Sequence, residues 1–206
     1  HRAHLTQRFW HYVHEREVTE VAALNARALP PGMRYRDVAG EFATANYNWL
    51  REALSPIDMN AVTRAVVVGC GWRPVTSFHI HDETTIPEVI GLDVRAEAVD
   101  SARRLAARFG CDRLRFETAD AQCYDFSGAQ LVHVASMVSP KAAVLRQILD
   151  TAPQDVCIVL WEPVALGRLW METVTHPLTT DLEEISRTSL MRLSTQVCVR
   201  RAPHAG

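Results

Sequence analysis

The 206-residue chain has one lysine, Lys141, no apolar run longer than a strand and no C-x-x-C pair. Each absence excludes something. A bilayer-crossing helix needs roughly 18 consecutive apolar residues. The longest apolar runs, Ala65–Val68 and Val156–Trp161, fall far short of that. Lys+Arg 22 against Asp+Glu 24 leaves a net charge of −2. The cations are scattered, so neither a nucleic-acid surface nor an anionic-membrane surface is expected. Five cysteines, Cys70, Cys111, Cys123, Cys157 and Cys198, are odd in number, and three sit in apolar runs where thiols behave as small hydrophobes. A disulfide framework is therefore not expected, and a reducing cytoplasm fits best. The start of the chain lacks a basic-then-apolar secretory signature. What remains, at 48% hydrophobic and 22% charged, is a compact cytoplasmic protein with a small-molecule partner. The oligomeric state is left open, a homodimer included.

The patterning divides the chain near residue 60. Leu5, Phe9, Tyr12, Val13, Val21, Leu24 and Ala28 recur at helical spacing until Pro30-Pro31-Gly32 stops them. Val38, Phe42, Ala45, Trp49 and Ala53 form a second helical stripe that ends at Ser55-Pro56. Residues 1–60 thus read as a small helical cap. From 61 to 206 short apolar runs alternate with amphipathic stretches: Ala65–Val68, Val89–Leu92, Leu114–Phe116, Leu131–Ala135 and Val156–Leu160. Ala96–Phe109 and Lys141–Leu149 read as crossover helices, and Leu190–Arg200 reads as a last, antiparallel strand. This is the pattern of an α/β fold with a mostly parallel sheet.

The sharpest local signal is Ala65-Val-Val-Val-Gly69-Cys70-Gly71-Trp72-Arg73-Pro74, a buried strand running into a glycine turn. In an open α/β sheet that turn lies at the crevice beyond the strand ends, where a missing Cβ admits a ligand to the backbone. A plain strand-ending turn has the same letters. The third glycine of a dinucleotide fingerprint is absent, since Pro74 occupies its place, which disfavours a pyrophosphate cradle. Asp93 ends the second strand and can accept both ribose hydroxyls. Asp120 follows the third strand and can accept from an adenine amino group. Either carboxylate alone is equally a helix cap or loop residue; together they fit a nucleoside without phosphates. Cys70, Val94, Ala121, Ala135 and Ser136 flank these strand ends and complete the candidate pocket.

This order of motifs resembles the class I S-adenosylmethionine-dependent methyltransferase fold, a Rossmann-like, mostly parallel seven-stranded sheet, over about residues 63 to 200. Within it, Val68-Gly-Cys-Gly-Trp-Arg-Pro74-Val-Thr76-Ser77 is similar to the glycine turn of nicotianamine synthases and bacterial opine-metallophore synthases. Val89-Ile-Gly-Leu-Asp93, His133-Val-Ala-Ser136 and Val164-Ala-Leu-Gly167-Arg168-Leu169-Trp170 extend the likeness. The resemblance implies S-adenosylmethionine as substrate, with its 3-amino-3-carboxypropyl arm transferred to an amine and methylthioadenosine (MTA) released. It also implies that Thr76 and Ser77 hold the amino-acid end, although both could instead cap the helix after Pro74. Two features depart from that pattern. Trp161-Glu162-Pro163 stands where those synthases carry a pair such as Arg-Ser, and the helical portion before Gly69 is shorter. Less protein is then left to bind a separate acceptor. This favours attack by the arm's own amine, closing azetidine-2-carboxylate as the small S-adenosylmethionine cyclases do. Transfer to an amino-acid amine and ordinary methyl transfer to a small molecule are the alternatives.

Tyr47, in the polar interruption Asn46-Tyr47-Asn48, is the candidate catalytic side chain, its hydroxyl orienting the amine or receiving its proton. An aromatic ring over the sulfonium would contribute roughly 0.5–2 kcal/mol; Trp72, Trp161, Trp170, Tyr35 and Tyr124 are further candidates. His11 and His14 share a helix face, but no carboxylate or cysteine completes a ligand set, so no metal is expected. Ser136, Ser139 and His133 lack a nucleophile-elbow context, which argues against a hydrolase.

Overall fold

The computed structural model describes residues 2–38, 40–174, 181–188 and 194–202. Two helices, α1 (Arg2–Asn25) and α2 (Gly40–Leu54), precede the sheet. Then come β1 (Arg64–Val68), α3 (Val75–Glu83), β2 (Glu88–Asp93), α4 (Ala96–Phe109), β3 (Leu114–Thr118) and β4 (Leu131–Val134). The chain continues through α5 (Lys141–Thr151), β5 (Cys157–Pro163), β6 (Leu182–Thr188) and β7 (Ser194–Arg201). The seven strands lie in the order β3-β2-β1-β4-β5-β7-β6, and β7 alone runs against the others.

The apolar runs become central parallel strands because both faces are covered. Ala65–Val68 and all of β4 are buried, as continuous aliphatic strands must be when helices flank both sides. On one face, Val21 and Leu24 of α1 and Leu50, Ala53 and Leu54 of α2 merge into a single core with α3, α4, Val67 and Val159. On the other face α5 packs on Val66, Val132 and Ile158. Gly91 is small for a reason visible across the ladder: a Cβ there would lie 2.5 Å from the ring of its β3 partner Phe116.

Three elements differ from the sequence expectations. The first helix ends at Asn25, before Ala28. A short 3-10 turn, Tyr35–Asp37, follows it, anchored by Tyr35, which is fully buried and stacked on Phe78 at 4.3 Å. The largest difference is β6, Leu-Glu-Glu-Ile-Ser-Arg-Thr, an edge strand whose exposed Glu183 and Glu184 leave no apolar alternation to read. The antiparallel tail strand is real but sits inside the sheet, between β5 and β6. Leu190 and Leu193, counted in the tail pattern, lie outside the described residues. Among the described residues no helix is long and apolar enough to cross a membrane.

Candidate functional site

The turn after β1 places Gly69 and Gly71 at φ +75 and +71, backbone that only glycine adopts without strain. The amides of Gly69 and Cys70 donate to Leu92 O at 2.8 and 2.9 Å. The Asp93 carboxylate locks the turn from the next strand: Oδ2 accepts from Gly71 N at 3.0 Å and Oδ1 from Arg95 N at 3.0 Å. Gly69 also abuts the loop after β4, where a Cβ would come within 2.8 Å of Val138 and 3.3 Å of Ala135. Gly69, Cys70, Gly71, Asp93 and Ala135 therefore converge at one point above the sheet.

The remaining candidates fall around that point with different exposures. Val94 presents an open apolar side chain, 67% exposed, beside Asp93. Asp120 is exposed, its Oδ1 accepting from Gln122 N at 2.9 Å, and the neighbouring Ala119 amide donates to Asp93 O at 3.0 Å. Ala121 turns its side chain into the core on the α5 face. Cys70 is buried, and burial pushes its thiol pKa up, so it packs as a neutral group and offers only its backbone. Thr76 and Ser77 lie in the first turn of α3, whose N-cap is Pro74 without a side-chain bond. Neither residue is the cap, which removes that alternative. Ser77 Oγ is fully buried and has no partner among the described residues, an arrangement that calls for a ligand or water to complete it.

Sequence reasoning missed the residue nearest the turn. Glu17 of α1 presses its carboxylate against Gly71, 3.0 Å from where a Cβ would stand, and its Oε2 accepts from Trp72 N at 3.2 Å. Burial raises its pKa, opposed by the Trp72 amide and the nearby Arg73 and Arg95. Around it, His14 packs edge-on to Trp72 at 5.4 Å and meets Arg95 at 3.4 Å, while Glu20 ion-pairs with Arg73. The signal was available: Val13, Glu17, Val21 and Leu24 share one helix stripe, and a carboxylate at its centre interrupts an apolar face.

Tyr47 is drawn elsewhere. It is 2% exposed, donates its hydroxyl to Asp82 at 3.1 Å and packs edge-on to His79 at 4.8 Å. Its contacts are thus with the later turns of α3, and the hydroxyl is already engaged. His79 and His133 are almost fully buried, and among the described residues Nδ1 of the first and both ring nitrogens of the second have no partner. Burial lowers their pKa values to about 4 and about 3. Both imidazoles therefore stay neutral in the fold, whereas the unfolded chain protonates them below about pH 6.5. Stability contributed by that neutral burial is lost as pH falls through the window from about 6.5 to about 4. His133→Phe should reduce the slope of stability against pH in that window by about 1.4 kcal/mol per pH unit, measured by urea unfolding.

A cavity of about 630 Å³ opens next to the turn, between the first half of α1 and the loops after β4 and β5. Ser136, Met137 and Ser139 form one wall, Trp10 of α1 a second, and Trp170, Met171 and Glu172 a third. Phe9 packs on Trp170 at 5.1 Å, joining helix to loop. Among the described residues no Lys or Arg lines the cavity. Among the described residues no group of three His, Cys, Asp or Glu side chains could hold a metal ion.

No known protein-family profile matches the chain. A 23S rRNA (uracil(747)-C(5))-methyltransferase, RlmC of Vibrio vulnificus (strain CMCP6), is 32% identical over 109 residues, 53% of this chain and 26% of that protein. The chain thus spans about a quarter of the length of the curated relatives it matches. Among solved structures, a point mutant of the nicotianamine synthase MtNAS in complex with S-adenosylmethionine superposes with a TM-score of 0.82 at 15% identity, covering 98% of this chain and 78% of that one. MtNAS in complex with MTA and tNA gives 0.82 at 16%, covering 98% and 76%. The mitomycin 7-O-methyltransferase MmcR gives 0.64 at 15%, covering 82% and 56%. With the strand order, the glycine turn and Asp93 in place, the chain has the class I S-adenosylmethionine-dependent methyltransferase fold, in the form seen in nicotianamine synthase.

Proposed function

We propose that the protein binds S-adenosylmethionine at the strand ends and opens it at the γ-carbon of the 3-amino-3-carboxypropyl arm, with the arm's own amine as nucleophile. The adenosine lies on Asp93, Val94 and Asp120. The arm runs over Gly69–Gly71, its carboxylate at the first turn of α3 with the unpartnered Ser77 hydroxyl. The observation that carries the reading is Glu17: a carboxylate with a raised pKa, held against the backbone of Gly71. An ammonium has no lone pair to attack with, and a base at that position takes its proton. The N–Cγ bond then forms as the Cγ–S bond breaks, and the electron pair leaves on sulfur. The products are azetidine-2-carboxylate and methylthioadenosine, and the proton passes from Glu17 to solvent. Methyl transfer needs no base there, because the arm's nitrogen takes no part.

The cavity supports an internal nucleophile over a separate amino acid. A free amino acid brings a second carboxylate, and among the described residues the cavity wall offers Glu172 and no cation to meet it. The walls include the indoles of Trp10 and Trp170 and the thioethers of Met137 and Met171, groups that suit a sulfonium. A second reading, methyl transfer, is favoured by the RlmC match over half of this chain. Incubation with S-adenosylmethionine alone separates them by product: methylthioadenosine without any acceptor supports ring closure, and a strict acceptor requirement supports transfer. S-adenosylhomocysteine would establish the methyltransferase.

A further inference from the structure

The only lysine in the chain is fully buried at the start of α5 and is not free to react. Lys141 Nζ donates to Trp161 O at 2.6 Å and Glu172 O at 3.1 Å, and forms an ion pair with Glu162 Oε1 at 3.7 Å. Glu162 Oε2 accepts from Val174 N at 3.1 Å. The Glu172 carboxylate accepts from Lys141 N at 2.8 Å and from the Ser139 hydroxyl. One cluster therefore joins the end of β5, the start of α5 and the strap 170–174. That strap carries Trp170 and Met171 into the cavity wall. Burial lowers the Lys141 pKa and raises that of Glu162, with each charge favouring the other. The unusual Trp161-Glu162-Pro163 segment is explained by this arrangement, since Glu162 faces the lysine and the strap.

We infer that Lys141 and Glu162 are a positioning pair: they hold the strap so that Trp170 and Met171 close the cavity over the reacting arm. The inference rests on the proposed site, though not on which carbon is attacked. Neither side chain need touch substrate. A buried cation hydrogen-bonded to two carbonyls on separate segments fixes their separation more rigidly than apolar packing does. Reaction rate is sensitive to that separation, because a misplacement of about 1 Å can cost about a hundred-fold.

The test compares Lys141→Met, Glu162→Gln and the double variant with the parent protein, following S-adenosylmethionine consumption, its Kd by calorimetry and thermal unfolding. Expected is a kcat loss of about a hundred-fold in Lys141→Met, with Kd within about threefold because Asp93 and the glycine turn are untouched. The double variant removes both buried charges, so it should recover most of the lost thermal stability but not the kcat. It remains informative if Lys141→Met fails to fold. Full kcat in a folded double variant overturns the inference, as does a loss confined to Kd. If the parent instead yields S-adenosylhomocysteine, the γ-carbon reading fails while the same comparison still decides the role of the pair.

Discussion

Glu17→Gln is expected to release methylthioadenosine at least about a hundred-fold more slowly than the parent protein, the usual scale for removing a positioned base. The substitution is nearly isosteric, and the glutamine carbonyl still accepts from Trp72 N, so the contact that seats α1 on the turn is kept. What is removed is the ability to take a proton. The parent's kcat/KM should rise with pH through the raised pKa of Glu17, since the base works only when ionised, and the variant should lack that limb. Stability separates this role from a packing role. A carboxyl whose pKa is raised on folding favours the native state when protonated and opposes it as pH climbs. Glu17→Gln should therefore unfold at the same temperature as the parent or above it near pH 7. A variant that loses activity only in proportion to lost stability, with its pH limb intact, would show that Glu17 is packing alone.

The second large effect is on binding. Asp93→Ala should weaken S-adenosylmethionine binding by about a hundred-fold, equivalent to about 2–3 kcal/mol for charge-assisted bonds lost at a buried carboxylate. Asp93 is 7% exposed and bonds Gly71 N and Arg95 N. Its removal loosens the turn and, in the proposed binding mode, costs the ribose contact as well. Asp120→Ala is the control. That carboxylate is exposed and, among the described residues, bonded only within its own loop, so its loss should cost tenfold or less, the net worth of one hydrogen bond. Calorimetry on the two variants reads both. Equal losses would mean that the adenosine is not held through Asp93.

The contrast between these residues marks how far the sequence could be read. The β1 run, the glycine turn and Asp93 were legible because strand burial and a positive-φ turn both leave local signatures, and the structure brings Gly71 and Asp93 into hydrogen-bond contact across a sequence separation of 22. The crossover helices α4 and α5 were legible from their 3.6-residue stripes. β6 was not, because an edge strand carries charges where an inner strand carries valines. Glu17 was hidden for a different reason. It is separated from Trp72 by 55 residues, and nothing local to α1 tells which face meets the glycine turn. Tyr47 was singled out from the polar interruption Asn46-Tyr47-Asn48, and what its hydroxyl meets, Asp82 on α3, lies 35 residues away and has no local signature. Glu162, read as a departure in acceptor recognition, faces Lys141. In each of these cases the missing information was long-range pairing.

In the proposed reaction the nitrogen and γ-carbon of one arm become bonded to each other. Supplying the purified protein with S-adenosylmethionine isotopically labelled at the α-nitrogen and the γ-carbon, with no acceptor present, tests this by nuclear magnetic resonance. Ring closure gives a free cyclic amino acid in which the two labels are directly coupled, formed in equal amount with methylthioadenosine. Both labels retained without mutual coupling in S-adenosylhomocysteine, or in an open-chain product, would contradict it.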